Sequence, residues 1–284
     1  MEVHSVHLSP IPRDWKCLTD PACSWSAETL ALRFPHRLFD LGQESGAQAT
    51  LPSFLSATAG AADGAAADGA AADANRYIFD PLASDCDPLL CDYYAPAGAP
   101  ASSNQCYLHY LSSFPALRPR FRWFLVGVQG SGFAPHQDPH GTCAWNALVV
   151  GRKQWAVLPP CTPLAAVFPG ITGSDVPLEF SSARLWFQNA LPLLAGLPGL
   201  KVFEQAAGEV VWIPAGWWHC ACTVSEVSVG VTQNWLTRSG FEEELDKLQR
   251  AHSALAPLWA ARVHSAGLPF TRAQQGEGTS VVHA

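Results

Sequence analysis

From residue 121 onward the chain is a succession of short apolar runs, each closed by a turn signal, and this texture restricts the possible folds most. Phe121 to Val128, Ala144 to Val150, Lys153 to Leu158, Lys201 to Gln205, Val210 to Ile213, Trp218 to Val224 and Val227 to Trp235 all read as strands. Gly151-Arg152 reads as a type II′ hairpin turn joining the second and third of them. Pro159-Pro160 ends a strand, and Pro214-Ala215-Gly216 makes a sharp turn between two others. Residues 183–194 have helical spacing through Leu185, Trp186, Asn189 and Leu193, and Phe241 to Leu255 is an amphipathic helix that closes the chain.

Many short strands with turns between them indicate a sandwich or barrel. The expected fold is mainly β, a double-stranded β-helix (jelly-roll, cupin-like) barrel with flanking helices. With 48% hydrophobic residues, 11 Trp and 14 Phe, the chain has the side chains to fill such a barrel.

Upstream, residues 1–56 read as a helical arm with apolar patches around Trp15, Trp25 and Phe34 to Leu41. Residues 57–74 repeat Gly-Ala-Ala-Ala-Asp, in which Gly and Asp oppose the helix that Ala favours, so a disordered insertion is expected. Tyr77-Ile78-Phe79 reads as a strand opening the main domain, 75–240, and residues 95–103 as a loop; 241–284 would be a helix and a frayed tail.

The formal net charge of -7 opposes direct nucleic-acid binding as a main activity and favours a basic protein or peptide partner. No run of about 18 apolar residues exists, so no membrane span is expected. Met1 to Pro10 lacks the pattern of a secretory signal. Nine scattered cysteines without a CxxC pair read as free thiols in a reducing, intracellular compartment, Cys220 and Cys222 sharing one strand face.

The chemistry concentrates in His136-Gln137-Asp138 and His219. On an extended segment residues i and i+2 point the same way, so one imidazole and one carboxylate converge. Alone the His-x-Asp is weak, since chance supplies roughly half a match in a chain of this composition. Its context adds weight: Pro135 and Pro139 fix the backbone on both sides, and His219 follows a Gly-Trp-Trp turn. Two His and one carboxylate on one face of a metal leave positions open for substrates, the arrangement of non-haem Fe(II) oxygenases. Lys153 shares a face with Trp155 and Val157, and a cation facing into a barrel implies an anion. Thr232 and Asn234 share a face of the last strand, and Asn146 lies across the expected hairpin; these could donate hydrogen bonds to a dicarboxylate.

With these residues in view, the run from Tyr110 to Pro160 resembles the JmjC family. It carries Arg122-Trp123-Phe124, His136-Gln137-Asp138-Pro139, Gly141-Thr142, Ala144-Trp145-Asn146-Ala147-Leu148 and Gly151-Arg152-Lys153. Gly208 to His219, Thr232-Gln233-Asn234 and Tyr77-Ile78-Phe79-Asp80 are similar too, and the resemblance covers roughly 77–240. The most similar branch is that of the phosphatidylserine-receptor-like arginine demethylase and lysyl hydroxylase. The resemblance implies Fe(II) on His136, Asp138 and His219, with 2-oxoglutarate and O2 as cosubstrates. Lys153 would pair with the distal carboxylate of 2-oxoglutarate, helped by Asn146, Thr232 and Tyr77. It implies a nuclear site of action as well, although no basic cluster marks one; the cytoplasm stays open.

Three departures stand out. Phe133 sits where relatives carry a hydroxyl that contacts the cosubstrate. The interval from His219 to Thr232 runs about one residue longer, as a bulge would produce. There is no poly-Ser or basic tail and no F-box.

The expected function is an Fe(II)- and 2-oxoglutarate-dependent protein oxygenase, hydroxylating lysine or demethylating N-methyl arginine or lysine in basic, histone-like proteins. The alternatives are a non-catalytic JmjC interaction module and a small-molecule cupin enzyme.

Overall fold

A computed structural model describes residues 5–42, 46–58, 77–82, 84, 86–94, 106–108, 119–171, 180 and 182–265. The insertion from residue 59 on, the 95–103 loop and the tail beyond 265 lie outside the described residues.

The arm is not helical throughout. It begins with a strand, β1 (His7–Pro10), followed by α1 (Lys16–Thr19), α2 (Ala27–Arg33), a hairpin of β2 (Leu38–Asp40) with β3 (Gln48–Thr50), and α3 (Leu51–Thr58). Ser26 starts α2 by accepting the Thr29 amide, with Glu28 and Arg33 placed to suit the helix dipole.

The main domain supplies β4 (Tyr77–Pro81), β5 (Arg122–Val128), β6 (Gly132–His136), β7 (Cys143–Val150), β8 (Arg152–Leu158), β9 (Lys201–Ala206), β10 (Glu209–Ile213), β11 (Trp218–Thr223) and β12 (Val227–Trp235). They form two antiparallel sheets, ordered β1-β10-β7-β12-β5-β4 and β6-β11-β8-β9. From β5 to β8, and again from β9 to β12, successive strands alternate between the sheets. This is the double-stranded jelly-roll, realised as two facing sheets.

The alternation corrects one expectation. Gly151 does not turn a hairpin. β7 pairs with β10 and β12, and β8 pairs with β11 and β9, so the chain changes sheet at this glycine. Gly151 has φ +87°, and a Cβ there would meet the Val227 carbonyl oxygen at 2.3 Å. Asn146 accordingly lies across from Val211 and Thr232, not across from β8. A register irregularity between Val229 and Gly230 falls within the interval where the sequence reads one residue long.

Large side chains do not fill the space between the sheets. Strand parity sends Phe124, Trp145, Val231 and Trp235 to the outer face of the six-stranded sheet. There they meet Trp15, Trp25, Phe39 and Leu51 of the arm, with Trp25 edge-on to Phe124 at 5.3 Å. Two C-terminal helices, α6 (Arg238–Arg250) and α7 (Leu255–Ser265), extend this cluster with Phe241, Leu245 and Trp259. The apolar period of Phe241 to Leu255 predicts a single helix there, and the structure has two.

A second cluster covers the outer face of the smaller sheet. It involves α4 (Leu164–Val167), the short α5 (Ala183–Leu185) and the turns after it. Residues 186–190 coil more widely and 191–194 more tightly than an α-helix, so 183–194 is a broken helix, not the regular one expected. Between the sheets the fully buried apolar cluster is smaller among the described residues, and includes Ala144, Trp155, Val157, Val211 and Ile213. The remainder of that space is a cavity.

Candidate metal centre

Antiparallel pairing of β11 with β6 sets His219 directly opposite His136. Their rings lie 4.2 Å apart between centroids. Each His Nδ1–H donates to the backbone carbonyl two residues earlier, His136 to Ala134 at 2.9 Å and His219 to Trp217 at 3.0 Å. That bond fixes the tautomer and leaves the Nε2 lone pair free. Both Nε2 atoms face Asp138 Oδ1, His219 at 3.8 Å and His136 at 4.0 Å. One ligand atom from each residue lies within 4.8 Å of the other two.

Asp138 follows β6 and begins the turn Pro139–Gly141, yet its carboxylate caps no backbone amide there. Its Oδ2 is buried without a hydrogen-bond partner. A desolvated carboxylate oxygen is costly unless a cation or donor reaches it. Together with two oriented imidazoles, it fits a divalent metal of the borderline type that accepts nitrogen and oxygen ligands. Desolvation, then the neighbouring His219, hold His136 below its ordinary pKa against the pull of Asp138. Gln137 Nε2 donates to the Gly216 carbonyl at 2.6 Å, tying the His-x-Asp loop to the turn that precedes His219.

The three residues stand on the wall of a cavity of about 160 Å³. Lys153 lines the same cavity and is 3% exposed. Its Nζ donates to the Tyr77 hydroxyl at 3.3 Å, and no carboxylate salt bridge to it is present among the described residues. Burial pulls its pKa from 10.5 to about 8. An ammonium held this way is a ready anion site.

Asn146, Thr232, Asn234 and Tyr77 also line the cavity, so every residue singled out in the sequence arrives there. Their hydrogen bonds differ from the expectation. Thr232 donates its hydroxyl proton to the Trp145 carbonyl at 3.0 Å, and Asn234 donates to Thr142 Oγ1 at 3.0 Å. Asn146 is different: its Oδ1 is buried and unpartnered.

The sequence reading missed the aromatic wall. Phe133 packs edge-on to Tyr77 at 5.1 Å and to Phe79 at 4.6 Å, and Phe79 stacks on Trp123 at 5.2 Å. Strand parity carries the signal, since Trp123 and Leu125 alternate with the outward Phe124 and Val126.

Residues 123–235 match the model of the JmjC domain, hydroxylase. The chain is 36% identical over 172 residues to lysine-specific demethylase JMJ21 of Arabidopsis thaliana, covering 58% of this chain and 17% of that protein. It is 30% identical over 151 residues to the bifunctional arginine demethylase and lysyl-hydroxylase psr-1 of Caenorhabditis elegans, covering 51% and 37%. It is 30% identical over 118 residues to human 2-oxoglutarate and iron-dependent oxygenase JMJD4, covering 41% and 27%. The chain thus spans between about a sixth and two fifths of the length of these curated relatives. With the jelly-roll, the paired histidines and the matched sequence in agreement, residues 123–235 of this chain are a JmjC domain.

Proposed function

We propose that this chain is an Fe(II)- and 2-oxoglutarate-dependent protein oxygenase that hydroxylates lysine or demethylates N-methyl arginine or lysine in basic proteins. The observation that carries the reading is the presence of two imidazoles, one carboxylate and a buried ammonium on one cavity wall. Relatives are named for these activities and for this iron and cosubstrate requirement.

His136, Asp138 and His219 would hold the iron, and Lys153 with Tyr77 would receive the distal carboxylate of 2-oxoglutarate. When bound, the pair supplies oxidation of a substrate C–H bond by O2, with succinate and CO2 as co-products. Lys153 neutralises the diacid in a desolvated place, which a small-molecule cupin enzyme without that cosubstrate would not need. The Asn146 amide has spare hydrogen-bonding capacity facing the cavity, and rotation of the amide would present its N–H2. The apolar walls at Phe79, Trp123 and Phe133 exclude water and shape the approach of the substrate side chain. The net charge of -7 favours encounter with a basic partner.

Phe133 and the committed hydroxyl donor of Thr232 favour the second reading, a non-catalytic interaction module. Anaerobic titration with Fe(II) separates the two. A metal-to-ligand charge-transfer band that appears only when 2-oxoglutarate is also present supports the oxygenase; metal binding without that band supports the interaction module. Incubating basic peptides with the protein and scoring mass gains of oxygen against losses of methyl then tells hydroxylation from demethylation.

A further inference from the structure

His140 is a non-glycine residue in the left-handed region, with φ 58° and ψ 26°, immediately beyond Asp138 and Pro139. The other such residue among those described, His252, follows the end of a helix, where left-handed residues are common. His140 follows no α-helix. An L-residue in this region is strained, and such strain persists only where surrounding structure over-determines it.

The surroundings here come from the C-terminal helices. His140 Nδ1–H donates to Glu244 Oε1 of α6 at 2.9 Å, and its ring lies edge-on to Trp259 of α7 at 5.6 Å. The next residue, Gly141, is left-handed as well, and its carbonyl lies so close to α6 that a Cβ on Gly240 would meet it at 2.9 Å. At the other end of the same turn, Asp138 is in a capping position but caps nothing, and its carboxylate points instead to the two histidines.

We propose that His140 is a positioning residue: held left-handed by Glu244 and Trp259, it turns the backbone so that the Asp138 carboxylate is aimed at the metal and not at the amides of its own turn. The inference rests on the triad being a metal centre. It makes the C-terminal helices part of the apparatus that fixes a ligand, although none of their residues reaches the metal. Partners that orient ligands from outside typically change metal affinity 10–100-fold when lost.

The test is anaerobic titration of the full chain with Co(II), read by its d–d absorbance, with a thermal melt of each variant as a check on folding. Glu244→Ala should weaken Co(II) binding about tenfold or more. Glu244→Gln, which keeps the acceptor and loses the charge, should bind like the unaltered chain. His140→Ala loses both the Glu244 bond and the Trp259 contact, so it should weaken Co(II) binding about tenfold as well, and in that background Glu244→Ala should cost nothing further. Unchanged affinity in Glu244→Ala alone would overturn the proposal. So would equal weakening by Glu244→Ala in both backgrounds, because that result marks a charge effect. If Glu244→Ala does not fold, His140→Ala decides: a tenfold loss supports the proposal and retained affinity overturns it. Failure of the unaltered chain to bind Co(II) would overturn the metal centre itself, and the positioning role with it.

Discussion

Lys153 is the residue whose chemistry is most exposed to measurement. Its folded pKa of about 8 lies below the ordinary 10.5 because burial penalises the charged form. Between those two values the unfolded chain holds more protons than the folded one, so this residue makes stability rise with pH across that window. Lys153→Met should flatten that part of the apo protein's stability–pH curve, as followed by chemical denaturation at several pH values. Binding of a diacid reverses the penalty and recharges the amine. At pH 8 to 9 the binding of 2-oxoglutarate to the metal-loaded protein should therefore take up protons, seen as buffer-dependent calorimetric heats. The same variant should raise the 2-oxoglutarate KM at least about 30-fold while leaving Co(II) binding near normal. Asp138→Ala should remove metal binding and turnover together; retained turnover would exclude the triad.

At the scale of elements, the close approach of β5 to the cavity gives a sharp expectation. A Cβ on Gly127 would meet Thr223 Oγ1 at 2.6 Å, Ser131 Oγ at 2.7 Å and Tyr77 Cε2 at 2.9 Å. Gly127→Ala should cost about 1–3 kcal/mol of stability through overpacking. Because Tyr77 must give way, it should also raise the 2-oxoglutarate KM, a pairing of effects that a melt and a kinetic assay detect together. The strands were legible because their periods are local. Parity alone places Lys153 inward and brings His136 and Asp138 to one side. The partner of each strand was not legible. A Gly-Arg pair after an apolar run suits a hairpin as well as a change of sheet, and the pairing of β7 and β8 with distant strands is what distinguishes them. The C-terminal break was missed for a similar reason, since Phe241 to Leu255 keeps its apolar period across the turn at 251–254. His140 could not have been found from the sequence, because its conformation is held by Glu244, 104 positions away.

For the whole molecule, the site draws on both sheets. His136, His219 and Lys153 come from the smaller sheet and Tyr77, Asn146 and Thr232 from the larger. Occupation of the cavity should therefore hold the two sheets together. Saturation with Co(II) and 2-oxoglutarate, each at about 100 times its Kd, adds about 2.7 kcal/mol per ligand, a rise in Tm of roughly 4–5 °C for each. In His219→Ala that rise should vanish.

The principal aromatic core lies outside the jelly-roll, beneath the arm and the C-terminal helices, while the space between the sheets is left to the cavity. Anchorage and workspace are therefore made of different residues. A sequence drifting at Phe79, Trp123 or Phe133 can exchange one clientele for another without loosening the packing that keeps the chain folded. Such a scaffold is open to new substrates one substitution at a time.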